Sequence, residues 1–329
     1  MMRRLRNRLL GLLVVATGLV SASAGASEGP AAADALLARA VSTLAGSDWS
    51  GVYVHTAGGQ SESFRTSRRV ESVSDTERVE ALEGQAREIV RQGDEIHLFL
   101  PGRREVRIER RIATSGFPQV LPADPTVLGR SYRVSVSGTG RVASRDAVIV
   151  RLQAIDSLRY SREIWLDRET ALPLKQRVLD AAGAVLEQTA FSEVSVGRRI
   201  AASRVQPGRQ VGYAGWDVKT LTAPLPEGVV PPDAARLGQG FRLLGGVARK
   251  AIGEAPAATH WAFGDGLAVV SVFAEDAAAL PGVSVPVAAQ RGALGVVETA
   301  LNGRRLIAVG EVPRALLERS LAAVGAAPR

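Results

Sequence analysis

The sequence predicts a β-rich α+β protein of two domains, each an antiparallel sheet carrying helix. Three observations predict it. The stretch Arg159 to Gln188, RYSREIWLDRETALPLKQRVLDAAGAVLEQ, reads as a three-strand meander: β-formers from Tyr160 to Leu166 around Trp165, turn residues from Asp167 to Pro173, and Leu174 to Leu179 alternating with Lys175 and Arg177. Asp180-Ala-Ala-Gly183 then turns the chain into a third strand from Ala184 to Phe191. Second, glycine-marked turns at Gly58-Gly59, Gln92-Gly-Asp94, Gly264-Asp-Gly266 and Asn302-Gly303 separate further runs of β-formers, the last being a strong two-residue hairpin signal. Third, helical periodicity is expected at the two ends of the exported chain, and 329 residues suffice for two cores.

At the N-terminus, Arg3, Arg4, Arg6 and Arg8, an apolar core from Leu9 to Val20 and the small residues Ala22-Ser-Ala24 have the pattern of a secretory signal peptide, residues 1–24. As a helix the core is about 18 Å long, short of the roughly 30 Å of a bilayer interior, so a soluble periplasmic protein is expected after cleavage. Cleavage removes four arginines and no acid, taking the formal charge from +8 to about +4. With lysine only at 175, 219 and 250, the remaining basic charge is nearly all guanidinium, the better group for forked contacts with carboxylate or phosphate. The absence of cysteine excludes disulfides, thiolate metal sites, a cysteine nucleophile and a lipoprotein anchor. Nucleic acid is not expected as the partner of an exported chain.

Along the mature chain, Leu37, Val41 and Leu44 give Ala31 to Leu44 an amphipathic helical stripe that should lie on a sheet. Strands are expected at Trp49 to Val54, Ser61 to Val70, Val79 to Gly84 and Glu88 to Leu100, the last folded at Gln92-Gly-Asp94. The run Pro101 to Arg111, PGRREVRIERR, alternates Val106 and Ile108 with Arg103, Arg104, Arg107, Arg110 and Arg111, which gives a strand with one cationic face. It is either a charged sheet edge that discourages aggregation or a site for an anion or acidic partner. Thr114 to Gly129, with three prolines, reads as an irregular loop exposing Phe117, Val120 and Leu121, a cover on the core or a contact surface. Strands resume at Tyr132 to Val136 and Ala147 to Leu152, with Gly138 and Gly140 as turn glycines between them.

Gly197 to Gly215 is polar and aperiodic and reads as a linker, dividing a first domain over residues 30–196 from a second over 216–329. The second domain has β-candidates at Leu243 to Ile252, Trp261 to Phe263, Leu267 to Phe273, Gly295 to Leu301 and Arg304 to Val309. It closes with a helix near Pro313 that sets Leu317, Leu321 and Val324 on one face.

No chemistry-bearing motif is present. His55, His97 and His260 belong to no metal or triad pattern, no nucleophile elbow or phosphate loop occurs, and Gly138-Thr-Gly140 lacks the third glycine and helix of a dinucleotide site. No catalytic residue, metal or cofactor is expected, and a binding or regulatory role is favoured over an enzyme. Nothing in the sequence specifies an oligomeric state.

The runs Trp49 to Val54, Arg87 to Gly102, Arg159 to Gln188, Gly266 to Glu275 and Gly310-Glu-Val-Pro313 together resemble the RseB/MucB family of periplasmic sigma-E regulators over nearly the whole mature chain. The resemblance implies an N-terminal domain like the carriers LolA and LppX, a strongly curved antiparallel half-barrel wrapped over helices, followed by a smaller C-terminal α/β domain. It also implies that the chain binds the periplasmic domain of a membrane-spanning anti-sigma factor and shields it from proteolysis until lipopolysaccharide or a lipoprotein acyl ligand releases it. A lipid or lipoprotein carrier of the LolA type is the alternative, against which the well-patterned second domain counts. A lipid A ligand needs an apolar hollow bordered by cations, so Arg103, Arg104, Arg107, Arg110 and Arg111 are the candidate phosphate or partner contacts, with Phe117 and Leu121 as apolar neighbours.

Overall fold

The computed structural model describes residues 30–72, 75–110, 112, 116–207, 215–251, 256–276 and 287–326. The signal segment and Arg111 lie outside them. Helix α1 (Pro30–Gly46) buries Ala33, Leu37, Ala40 and Leu44, a stripe at helical spacing, against the first sheet. That sheet is built from β1 (Trp49–Ala57), β2 (Gln60–Val70), β3 (Asp75–Ala81), β4 (Glu88–Gln92), β5 (Glu95–Leu100), β6 (Glu105–Arg110), β7 (Tyr132–Val142), β8 (Arg145–Ala154), β9 (Ser161–Asp167), β10 (Pro173–Leu179), β11 (Val185–Val196) and β12 (Asp217–Thr220). Its order is β12-β6-β5-β4-β3-β2-β1-β11-β10-β9-β8-β7, antiparallel except that β12 runs parallel to β6.

This order explains a difference from the sequence reading. The connection from β6 to β7 must cross from one end of the sheet to the other, and it does so over the face that carries α1. Phe117 and Leu121 are therefore buried in the first core with Tyr53 and Phe191 rather than exposed, and Val120 is half-buried against the same core. Gly138 and Gly140 also depart from expectation. They lie inside β7, where the register shifts between Val136 and Gly138, and the turn falls at Ala143-Ser144 instead, both with positive φ. At Gly140 a Cβ would stand 2.9 Å from Trp165 Nε1, so the indole occupies the space a side chain would need. Lys175 and Arg177, which alternate with the buried residues of β10 and stay partly exposed, lie over Trp165 at 4.7 and 5.1 Å.

The second sheet comprises β13 (Thr222–Ala223), β14 (Arg242–Arg249), β15 (Ala258–Gly264), β16 (Val269–Asp276), β17 (Val287–Arg291), β18 (Leu294–Leu301) and β19 (Arg304–Gly310), in the order β13-β14-β15-β16-β19-β18-β17. Asn302 and Gly303 both take positive φ, the geometry the two-residue hairpin requires. Helix α2 (Arg314–Gly325) follows Pro313 and buries Leu316, Leu317, Leu321 and Val324 on Val270, Val272, Leu306 and Ala308. The alternate residues of β16, Val269, Ser271 and Phe273, are left to face the first sheet.

Several contacts join the sheets, among them Arg249 with Glu109 at 3.0 Å and two that lie toward opposite ends of the first sheet. Beyond the expected linker, β12 adds to the first sheet, and Leu221 follows it: its N–H donates to the carbonyl of Ile108 (2.8 Å) while its own carbonyl accepts from the N–H of Lys250 (2.8 Å). On the other side, Arg159 Nε donates to Asp265 Oδ2 at 2.6 Å, and neither side chain is accessible to water. The aspartate also accepts from Tyr132 Oη (3.2 Å) and from the N–H groups of Leu267 and Ala268 (3.0 and 2.8 Å). Arg159 donates further to Asp156 and to the carbonyl of Gln239 and lies over the Phe241 ring at 4.6 Å. Removing one partner of such a pair strands a buried charge. Asp265→Ala is expected to lower the stability of the chain by about 3–5 kcal/mol in urea denaturation, against less than about 1 kcal/mol for Arg314→Ala, which breaks an exposed pair with Glu318. A similar small loss for both would mean that the clamp contributes little.

Candidate functional site

Between the two sheets lies a hollow of about 1070 Å³, bounded by strands of both sheets, the end of α1 and the crossing segment 116–123. One face of the first sheet supplies its floor, and register fixes which residues reach it, since directly paired residues share a face. Tyr53 pairs with Phe64 and with Phe191. Phe117 descends from the crossing segment onto them, 5.3 Å from Tyr53 and 4.8 Å from Phe191, and makes an aromatic centre. Burial, reinforced by Glu77, pushes the Tyr53 phenol up, so it stays neutral.

Two rows along the same face, Trp49, Arg68, Glu77 and Arg91 pair in succession. Arg68 stacks on Trp49 at 4.5 Å and pairs with Asp75 at 2.9 Å. Arg91 donates to the buried Glu77 at 2.6 Å, and Thr66 donates to the other oxygen of that carboxylate at 3.1 Å. These two guanidiniums are already engaged. Arg87, paired with Glu62 at 2.9 Å and half-buried, and Arg242, exposed at the start of β14, are the cations bordering the hollow with a face toward solvent.

The other end is acidic and rich in acceptors. His55, Thr189 and Gln176 pair in one row across β1, β11 and β10, and Glu187 and Arg162 lie in the next row, each opposite Val178. Thr189 Oγ1 and His55 Nδ1 are 2.9 Å apart, and burial holds the imidazole below its ordinary value, in the neutral form. Arg162 donates to Glu311 at 3.2 Å. Burial, and then the charge of Glu311, push the Glu187 carboxyl up to about 7, against the opposing pull of Arg162 and the Ala293 N–H.

The structure separates the residues that the sequence brought together as a site. Phe117 and Leu121 line the hollow, whereas Arg103, Arg104, Arg107 and Arg110 do not. Arg107 shares the floor's face, through Leu98 and Ile89, but lies two strands beyond the lining, and Glu105 holds its guanidinium. Arg110 pairs with Asp94 at 3.2 Å, and Arg103 and Arg104 lie exposed in the turn before β6. The strand is also not a sheet edge, because β12 covers it. Arg68, Arg87, Arg242, Gln176 and Glu187 were not found from sequence. A signal existed for some of them: Gln176 interrupts the inward apolar phase Leu174, Val178, and an interruption of that kind marks a polar group facing a core or cavity. Among the described residues no group of three or more histidines and carboxylates is placed to hold a metal, and no helix is long and apolar enough to cross a membrane.

Residues 32–209 match the family model described as the MucB/RseB N-terminal domain, and residues 233–325 match that of the MucB/RseB C-terminal domain. The chain is 30% identical over 229 residues to the sigma factor AlgU regulatory protein MucB of Pseudomonas aeruginosa, covering 68% of each chain. It is 31% identical over 122 residues to the sigma-E factor regulatory protein RseB of Escherichia coli K12, which covers 37% of this chain and 38% of that one. Its fold is similar to that of a chain in the complex structure of Pseudomonas aeruginosa MucA/MucB, with a TM-score of 0.65 at 28% identity over 88% of this chain and 97% of the other.

A buried carboxyl with a raised value stabilises the fold while it is neutral. The contribution of Glu187 is complete below its ordinary value of 4.5 and is lost as pH rises through about 7. Relative to the parent, Glu187→Gln should therefore gain roughly 2–3 kcal/mol of stability between pH 5 and pH 8, read by urea denaturation at both values. An unchanged difference would show that Glu187 is ionised throughout.

Proposed function

The chain belongs to the MucB/RseB family, and from that premise we propose that it is a periplasmic negative regulator of the sigma-E envelope-stress response. In this reading it binds the periplasmic domain of a membrane-spanning anti-sigma factor, shields that domain from regulated proteolysis, and releases it when lipid or lipoprotein signals accumulate. The observation that carries the reading is a likeness to MucB, as captured with MucA, that extends over both sheets instead of one domain.

The hollow supplies a physical basis for release. A ligand that favours the free protein over the complex removes the shield in proportion to its differential affinity. Acyl chains suit the aromatic side chains of Tyr53, Phe64 and Phe117 that line the hollow, with Leu121 beside them, and phosphates suit the forked donors of Arg87 and Arg242 at the border. The strand β6 does not supply these cations in this arrangement, because its arginines lie outside the lining.

Binding is tested by mixing the mature chain with the periplasmic domain of the anti-sigma factor from the same organism. Co-elution and slower cleavage by the first protease of the cascade are expected, and a fragment ending at Val196 should not protect fully. Full protection by that fragment, or no co-elution with the mature chain, contradicts the reading. Partly dehydrated phosphate contacts contribute about 1.5–3 kcal/mol each, so Arg87→Gln with Arg242→Gln should raise the lipopolysaccharide concentration for half-release by about tenfold or more. Arg103→Gln, Arg104→Gln and Arg107→Gln together should leave it unchanged. The reverse pattern in a release titration would return the anion contact to β6.

A further inference from the structure

The acidic end of the hollow has more hydrogen-bond acceptors than the chain itself satisfies. Gln176 is 6% exposed, its Oε1 has no donor, and it lines the hollow. Beside it on the same sheet face are Thr189, paired with it, and the buried Glu187 in the next row, and Glu311 faces them from the segment between β19 and α2. The donors reaching the carboxylates are Arg162, on Glu311, and the N–H of Ala293, on Glu187. Burial lowers the His55 value against the pull of Glu311 and Glu62, which disfavours a charged ring beside the acids, and its Nδ1 is engaged with Thr189. Arg291, from β17, bears on this end as a charge that further depresses His55.

We propose that this end of the hollow is a binding site for an arginine side chain of the protein partner, whose guanidinium bridges Glu187 and Gln176. A guanidinium has five N–H donors and no acceptor, so it can satisfy an orphaned amide oxygen and a carboxylate at once. Its fork can engage two acceptors at once, and Arg162 already places one guanidinium at this end, on Glu311 at 3.2 Å. An anion is disfavoured here by two carboxylates and belongs at the border formed by Arg87 and Arg242, so the hollow is polarised along its length. The proposal rests on the proposed binding of an anti-sigma periplasmic domain, and adds that a segment of that domain reaches this end of the hollow.

Occupation should expel the proton that Glu187 holds near neutrality, because a neighbouring cation favours the carboxylate. Affinity for the anti-sigma periplasmic domain should then rise about tenfold from pH 6 to pH 8, the full linkage of one proton titrating near pH 7. Glu187→Gln, checked to unfold at a temperature no lower than the parent's at pH 6, should remove that rise. Gln176→Leu should weaken binding while keeping it. Both are measured by calorimetry with the mature chain. In a second arm, N-acetyl-argininamide is titrated at pH 8 into the labelled mature chain alone, with uncharged N-acetyl-norleucinamide as the control. Shifts of the Gln176 side-chain amide and the Thr189 backbone amide are expected with the first compound only, and not in Glu187→Gln. Partner binding that is independent of pH, with no argininamide shift, overturns the arginine site and leaves the proposed function standing. If the partner does not bind at all, the proposed function fails, and the argininamide titration alone decides the site: shifts sustain it and their absence overturns it.

Discussion

Arg159 and Asp265, an ion pair sealed from water, set the distance between the two sheets, and the hollow exists because that distance is kept. Desolvating two charges is expensive, and the attraction between them offsets it only when the remaining donors and acceptors are satisfied. Here they are: Tyr132, Leu267 and Ala268 complete the carboxylate, while Asp156, Gln239 and the Phe241 ring complete the guanidinium. Each of these contacts is directional. A docking shifted by an ångström or two would leave charges unpaired in an apolar interface, so the clamp selects one arrangement of the sheets from the many that apolar burial alone would tolerate.

Within that fixed frame the first sheet uses its inner face unevenly. Around α1 it is a conventional core of Leu37, Trp49, Tyr132 and Leu166. Away from the helix the same face turns polar in runs of paired residues: Arg68, Glu77 and Arg91 in one row, His55, Thr189 and Gln176 in another. Cross-strand pairing explains why polar residues come in rows, since each one is most cheaply satisfied by the residue opposite. The second sheet resolves a similar problem by giving Val270 and Val272 to α2 and leaving Val269, Ser271 and Phe273 to the hollow.

How far this could be read from the sequence depends on the range of the interactions concerned. The meander, the Asn302-Gly303 hairpin and both helices are encoded within a few residues, by alternation, positive-φ turn residues and a 3.6-residue stripe, and they stand where the sequence places them. The arginine cluster around β6 was conspicuous because it is contiguous, yet its members face different ways and two of them, Arg107 and Arg110, pair with Glu105 and Asp94. Arg87 and Arg242 lie far apart in the sequence and meet at one cavity only through the docking of two sheets. Phe117 appeared exposed because proline-rich loops usually are; the order of strands forces this loop across the concave side instead. Gly138 and Gly140 were read as a turn because local chemistry does not reveal that Trp165 occupies the space above one of them.

The parallel strand β12 and the residue after it alter what a domain boundary means in this chain. Leu221 gives its N–H to one sheet and its carbonyl to the other, so the two ladders are connected in series through a single peptide residue. Tension applied to one ladder passes to the next without a slack tether to absorb it. Val106 and Phe99, packed beneath Trp216 on the way into β12, seal the end of the first sheet with a segment that lies later in the chain than its own last meander strand. A chain of which only the first 196 residues have emerged from export therefore presents a sheet whose β6 is still open and apolar at its rim. The first domain completes its own border only when the polypeptide leading into the second has emerged.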